Sequence, residues 1–357
     1  MDILQSVLDD YLKIFPEEIR KSNKEISEEE LSEIFNEAVQ DSIPFTATEI
    51  WVAWFDRNNH WGTLKRTAPK MLKEKRAEEI TFNESVYTKW GKPFDLLEAL
   101  NVICIESGDE FNYSFRPTAV KENNLVFDLI VRLHARTCHI SSEIICLMRN
   151  GFADGAYARW RALHEVVCIA KFINKHGEKA AERYYHHEFI EAYKGMIQHQ
   201  KYAHRIKPDP FTEDEVETAK RHYEELLNKY GDNFKKSYGW ASIFVPNQQN
   251  TNFSDIEEDV GLDHWRPYYK FASQNIHGGV KGLFNKLGLN IGERNILLVG
   301  QSDAGMSLPI HSTAISLLQI SSVLLSVSPN LDRVVILKII QIAVDEIEDS
   351  LTNIENK

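Results

Sequence analysis

The spacing of apolar positions follows the period of an α-helix along most of the chain, and alternating strand-like patterns are scarce. Residues 3–39 predict two acidic amphipathic helices, and an aromatic stretch follows at 46–61. These patterns predict an all-α fold, a helical bundle with an N-terminal helical extension. The further helices predicted after residue 117 are 122–149, 154–175, 179–205, 214–230, 264–287, 307–326 and 330–353.

Turn signals divide this helical pattern at several places. The periodicity weakens between Gly91 and Pro117, where Gly108-Asp109 and Arg116-Pro117 predict turns. We therefore expect an N-terminal helical accessory region over 1–117 and a main helical-bundle domain over 118–357. Asn150-Gly151 predicts a left-handed cap that ends the helix before it. A short strand is predicted at 296–299.

The balance of charge argues against one class of function. The formal net charge is −12, so no broad duplex-DNA-binding surface is expected. The densest basic stretch admits two interpretations, a solvated helix face or a patch for nucleic acid or a partner. Its members are Lys65, Arg66, Lys70, Lys73, Lys75 and Arg76.

The cysteines and the apolar stretches predict a cytoplasmic protein. Cys104, Cys138, Cys146 and Cys168 show no C-x-x-C spacing, and the last three lie in apolar helical patterns, which is typical of reduced core residues. The first residues form an acidic amphipathic pattern and do not resemble a signal peptide. Polar residues interrupt the apolar stretches at 314–328 and 334–344, so we expect no membrane association.

Four segments carry a resemblance to known proteins. They read RNGFADGA at 149–156, RWRALHE at 159–165, YKFASQNIHG at 269–278 and VGQSDAG at 299–305. Together they resemble a bacterial helical family of unknown function, over roughly residues 130 to 325. The first 115 or so residues carry no resemblance.

The layout is also similar, more distantly, to HEPN proteins, which are helical modules common in toxin–antitoxin and phage-defence systems. That resemblance implies metal-independent ribonuclease activity through an Arg-x4–6-His motif. Arg132 with His139 and Arg159 with His164 have this spacing. The chain departs from the motif because neither arginine is followed by the usual polar residue.

Two charged residues lie in the apolar pattern of the 154–175 helix. Arg161 and Glu165 are spaced i,i+4, Tyr157 lies one turn earlier, and His164 flanks the same face. One interpretation is an internal ion pair that fixes helix packing, because a buried charge needs a partner. In the other, Arg161 recognises phosphate or carboxylate while Glu165 orients it.

A second polar ridge is predicted on the 264–287 helix. Tyr269, Ser273 and His277 recur at i, i+4 and i+8, beside Gly278-Gly279. His277 is either a structural histidine or the best candidate for general acid–base chemistry, since its ring titrates near neutral pH. If the two helices pack together, all six candidate residues line one pocket.

The 179–205 helix contains enough acidic residues and histidines for a metal site, but its spacing matches no metal-binding motif. We therefore expect a solvated amphipathic face, with neither a metal nor a cofactor. The residues concerned are Glu182, His186, His187, Glu188 and Glu191.

The leading hypothesis is a HEPN-like protein of a bacterial defence or toxin system that acts on RNA or a nucleotide. His277 or His164 moves a proton, and Arg161 stabilises phosphate charge while a ribose 2′-OH attacks. Two alternatives stay open: a non-enzymatic helical interaction or sensor protein, and a binder of a small anionic ligand. A homodimer through the closing helices and a regulatory protein partner are further expectations.

Overall fold

The computed structural model describes residues 60–205, 210–290, 292 and 295–356. Of these, 79% are helical and none is in a strand, which confirms the all-α fold. The predictions for residues 3–39 and for the aromatic stretch as far as residue 59 lie outside the described residues. The described helices are α1 (His60–Lys121), α2 (Leu125–Arg149), α3 (Ala153–His176), α4 (Glu178–Tyr202), α5 (Glu213–Tyr230), α6 (Phe253–Asp259), α7 (Arg266–Ser273), α8 (Val280–Phe284), α9 (Ser307–Ser326) and α10 (Leu331–Glu355).

Helix α1 runs for 62 residues through the positions where turns were predicted. The expected turns at Gly108-Asp109 and Arg116-Pro117 are therefore wrong. Gly108 lies inside the helix, where the His134 ring of α2 packs against it and a Cβ would lie 2.6 Å from His134 Cε1. Pro117 is near the end of α1, where its missing N–H removes one backbone hydrogen bond without ending the helix.

Helix α3 lies at the centre of the fold and packs against α2, α4, α6, α7 and α9. Its inner face is apolar, and Tyr157 and Trp160 are among the largest fully buried side chains described. The Trp160 indole N–H donates to the Ser312 carbonyl (3.1 Å) and to Ser316 Oγ (3.2 Å) on α9. The α3–α9 contact therefore combines apolar burial with directional hydrogen bonds.

The boundaries of α2 follow from its capping residues. Asn124 Oδ1 accepts the Phe127 N–H at 2.9 Å and caps the start of the helix. At its end the Gly151 φ angle is +77°, and the Gly151 N–H donates to the Met148 carbonyl at 2.9 Å. The predicted left-handed cap at Asn150-Gly151 is confirmed.

The predicted helix over 264–287 is wrong in its second half. Helix α7 ends at Ser273, a turn follows, and the five residues of α8 begin only at Val280. The turn sequence is rich in polar residues and contains Gly278-Gly279, which have low helix propensity. The strand predicted at 296–299 is also wrong, because these residues form irregular backbone.

The chain divides into two compact units, Met1–Thr81 and Phe82–Lys357. The six basic residues between 65 and 76 are exposed on the α1 segment of the first unit. Lys70 and Lys75 form i,i+4 and i,i+3 ion pairs there, as expected of a solvated helix face. The proposed division of roles between 1–117 and 118–357 stays a prediction.

All four cysteines are free thiols. Cys138 and Cys168 are buried as predicted, and Cys104 is buried too, but Cys146 is exposed, so its assignment to the core is wrong.

Among the described helices, α9 is long and apolar enough to cross a membrane by length and composition, and 67% of its apolar window is buried inside the fold. This burial is typical of a core helix. The expected lack of membrane association stays a prediction.

Candidate functional site

The two charged residues predicted on α3 form the ion pair that their spacing suggested. Arg161 Nη2 lies 3.0 Å from Glu165 Oε1. Their side chains are 24% and 26% exposed, so the pair lies at the edge of the core rather than deep inside it. Both side chains are therefore partly open to solvent.

Helix α7 supplies the other half of this cluster. Arg161 Nε donates to Ser273 Oγ at 2.9 Å, and the guanidinium carbon lies 4.6 Å from the centre of the Tyr269 ring. The Tyr269 hydroxyl donates to Glu165 Oε1. Four of the six candidate residues, Arg161, Glu165, Tyr269 and Ser273, are thus in mutual contact, and we call them the Arg161 cluster.

His164 belongs to a second, buried group, and its ring centre lies 6.0 Å from that of Tyr269 in the Arg161 cluster. His164 Nε2 lies 2.9 Å from Glu257 Oε1 of α6, and both side chains are almost fully buried. Arg266 binds the other carboxylate oxygen of Glu257. The Arg266 guanidinium also lies 5.3 Å from the Tyr269 ring centre, so this buried group contacts the Arg161 cluster through Tyr269.

Glu257 and Arg266 were not predicted from the sequence. Glu257 lies in an acidic run that resembles a solvated helix end, and 93 residues separate it from His164. The one sequence signal available was the buried His164 itself, because a polar side chain inside an apolar helix requires a partner.

The tyrosines around the cluster are held in their protonated form. Burial, reinforced by the hydrogen bond to Glu165, raises the pKa of Tyr269 well above its ordinary value. Burial and the nearby Glu165 carboxylate raise the pKa of Tyr238 to about 12. At neutral pH these hydroxyls therefore act as hydrogen-bond donors and not as bases.

His277 does not join the cluster through its side chain. It lies in the turn after α7 and is exposed, so the predicted i, i+4, i+8 ridge ends at Ser273. Its backbone N–H donates to the Ser273 carbonyl at 3.4 Å. Within the described part of the chain, its ring has no hydrogen bond or ion pair.

The connection after α7 returns to α3 at a second point. Asp154 accepts hydrogen bonds from the backbone N–H groups of Leu287 (2.9 Å) and Gly288 (3.2 Å). We call residues 274–286 the strap. It begins directly after Ser273 at the Arg161 cluster and ends directly before Leu287, which Asp154 holds. The Ser302 N–H donates to the Gly151 carbonyl at 2.9 Å, so the segments around 151 and 302 also meet.

The acidic residues and histidines of α4 are engaged in separate contacts. Glu182 binds Lys229 (2.7 Å), His186 binds the Tyr230 hydroxyl (2.8 Å) and His187 binds a backbone carbonyl. In the described ranges, no group of three or more His, Cys, Asp or Glu residues is arranged to hold a metal ion.

Comparison with known proteins gives a family match without an activity. No curated protein and no solved structure matches the chain. The matched region contains the Arg161 cluster, the buried group of His164 and the whole strap. Residues 127–294 match the model described as "Family of unknown function (DUF5677)".

Proposed function

We propose that the Arg161 cluster recognises an anionic group, a phosphate or a carboxylate, carried by a nucleotide or another small molecule. The proposal rests on the contacts that hold the Arg161 guanidinium in place. Ser273, Glu165 and the Tyr269 ring hold its guanidinium on three sides. Its Nη1 has no protein partner among the described residues, and about a quarter of the side chain is exposed.

A guanidinium fixed in this way suits an oxyanion for two reasons. Its planar fork can donate two parallel hydrogen bonds, and little side-chain entropy is lost on binding because the side chain is already ordered. The partly buried surroundings weaken solvent screening and strengthen the attraction to an anion. Glu165 and Ser273 act as positioning residues, since both hold the guanidinium in place.

The structural alternative is that Arg161 and Glu165, through their contacts with Ser273 and Tyr269, only fix α3 against α7. In that case Arg161→Ala lowers the free energy of unfolding, and no anion stabilises the protein. Ligand binding separates the two interpretations because it raises the melting temperature only where a binding site exists.

The test is the melting temperature of the wild type, Arg161→Lys and Arg159→Lys with phosphate, ribose 5-phosphate, AMP or citrate. Lysine keeps the charge and loses the fork. Arg159 is the matched control, since it lies on the same helix and binds Glu143 instead. A ligand at about 100 times its Kd adds about 2.7 kcal/mol to the stability of a folded protein. We expect this stabilisation in the wild type and in Arg159→Lys, and its loss in Arg161→Lys.

An absence of any shift in the wild type, or equal shifts in Arg161→Lys, contradicts the proposal. Circular dichroism of each variant without ligand checks that the fold is intact.

A second candidate function is metal-independent RNA cleavage by a defence or toxin-type protein. The position of His277 favours this candidate. His277 lies four residues after Ser273, whose hydroxyl accepts a hydrogen bond from Arg161. In this scheme Arg161 stabilises the phosphate and the exposed His277 moves the proton. His164 has a positioning role because Glu257 holds it in the core.

The nuclease candidate is tested by inducing the wild type, His277→Ala and the control His222→Ala in cells. We expect growth arrest and fragmented RNA with the wild type and with the control, whose histidine is exposed on α5 and lies outside both Arg-x4–6-His spacings. His277→Ala should leave RNA intact at equal expression. Cleavage by His277→Ala at the wild-type rate rules out this assignment.

A further inference from the structure

The strap is attached to α3 at both of its ends. Its first residue follows Ser273, which binds Arg161, and Asp154 holds the backbone just beyond its last residue. Arg161 and Asp154 are seven residues apart, which corresponds to about 10 Å along the helix. The start of the strap therefore lies beside the same edge of α3 as the proposed anion site.

Two amide side chains at the start of the strap have buried polar atoms without a hydrogen-bond partner among the described residues. These atoms are Gln274 Oε1 and both Nδ2 and Oδ1 of Asn275. Buried polar atoms are nearly always hydrogen-bonded in folded proteins, because leaving them unpaired costs stability. Asn275 thus has a donor and an acceptor side by side, and no described residue bonds to either.

We infer that Asn275, with Gln274 beside it, forms the second half of the Arg161 site and reads the edge of a nucleobase, so that the ligand is a nucleoside monophosphate. This inference rests on the proposed function, because Arg161 holds the phosphate. The adjacent donor and acceptor of an asparagine amide match those of adenine, which is therefore the preferred base. Asn275 is two residues after Ser273, so their Cα atoms lie within about 7 Å, and one mononucleotide can reach both groups.

The strap can open to admit such a ligand. Its side chains Val280, Leu283 and Phe284 are 70%, 68% and 57% exposed, so little apolar burial holds it closed. Gly278 and Gly279 have no neighbouring atom within 4 Å of a Cβ position and lie just after the amide residues. Segments with few buried contacts open at low free-energy cost.

The test is a change of base preference in the full-length protein. Asn275→Asp replaces the donor–acceptor pair by acceptors alone, which suit the two adjacent donors of guanine and not adenine. Calorimetry gives the Kd for AMP, GMP and ribose 5-phosphate. Asn285→Asp makes the same chemical change elsewhere in the strap and is the control.

We expect the wild type and Asn285→Asp to bind AMP at least about tenfold more tightly than ribose 5-phosphate. Asn275→Asp should bind AMP about ten- to a hundredfold more weakly and should bind GMP more tightly than the wild type does. The gain in GMP binding cannot come from a damaged fold.

Three results overturn the inference and can be told apart. Equal Kd values for AMP and ribose 5-phosphate, both lost in Arg161→Lys, remove the base-reading role and leave the anion site intact. An absence of binding of all three compounds to the wild type removes both proposals. Unchanged AMP binding by Asn275→Asp also overturns the assignment of Asn275.

Discussion

His134 shows how the fold controls the protonation of a single residue. Its ring is packed against Gly108, with Nε2 3.3 Å from Ser321 Oγ and Nδ1 3.9 Å from Cys138 Sγ. None of these neighbours carries a charge. Burial lowers the pKa of His134 from 6.5 to about 4, so the folded protein keeps the ring neutral where the unfolded chain is protonated.

This difference predicts a stability that depends on pH. The unfolded chain binds a proton as the pH falls below 6.5, and the folded protein does so only near pH 4. The contribution of His134 is therefore complete above pH 6.5 and is lost as the pH falls towards 4, by about 2 kcal/mol between pH 7 and pH 5. Urea unfolding at these two pH values should show a smaller loss in His134→Gln.

The matched control is His139→Gln, which changes an exposed histidine on the same helix. Its loss of stability between the two pH values should equal that of the wild type. If His134→Gln also loses as much as the wild type, the ring does not carry the pH dependence.

Among the elements, the long helices show how glycine can be either required or merely tolerated. Gly108 in α1 has no room for a Cβ, because a Cβ there would lie 2.6 Å from His134 Cε1. Gly195 in α4 has no atom within 4 Å of a Cβ position. The same substitution should therefore have opposite effects at the two positions.

Gly195→Ala should raise the free energy of unfolding by about 0.5–1 kcal/mol, because alanine has the higher helix propensity. Gly108→Ala should lower it by about 1–3 kcal/mol, because the added methyl group displaces the His134 ring. Urea denaturation of both variants measures the difference. Stabilisation by Gly108→Ala would show that α1 and α2 can move apart without cost.

Elements with strong local signals were the ones that the sequence predicted well. α2 and α3 have continuous apolar faces and end at Asn150-Gly151 and Gly177, so their bounds agree with prediction within about three residues. The Arg161–Glu165 pair followed from helical spacing alone. The continuity of α1 could not be predicted, because Gly108 indicates a turn in the sequence. Its place inside the helix, against the His134 ring of α2, is visible only in the packed structure.

The rest of the site depends on contacts between distant segments. The partner of His164 is on α6, 93 residues away, and nothing local to either residue indicates the pairing. The end of α7 at Ser273 was missed because apolar residues continue at helical spacing beyond it, through Ile276 and Val280. Such a pattern predicts a helix even where the polar and glycine residues between them favour a turn.

For the whole molecule, the core of the second compact unit extends into α1. The α1 side chains that this core buries include Val86, Trp90, Phe94, Leu97, Leu100, Cys104 and Phe111. Burial of a large apolar side chain contributes roughly 1.5–3 kcal/mol. The sum over these residues is comparable with the whole net stability of a typical domain, about 5–15 kcal/mol.

This core predicts which fragment folds alone. Residues 82–357 should unfold in one cooperative urea transition. Residues 118–357 should show no such transition, because the removal of α1 exposes the apolar faces that it covers. A cooperative transition in the shorter fragment, at the midpoint of the longer one, would instead support an independent domain that begins at residue 118.

The exposure of Cys146 gives the molecule a native attachment point for a spectroscopic probe. The other three of its four cysteines are buried, so a thiol-reactive dye should modify the folded wild type at one position without mutagenesis. Cys146 lies one turn before Asn150-Gly151, and Gly151 binds the segment around Ser302. A fluorophore there would lie near the segment around Ser302 and would report, in real time, whether nucleotides move that segment.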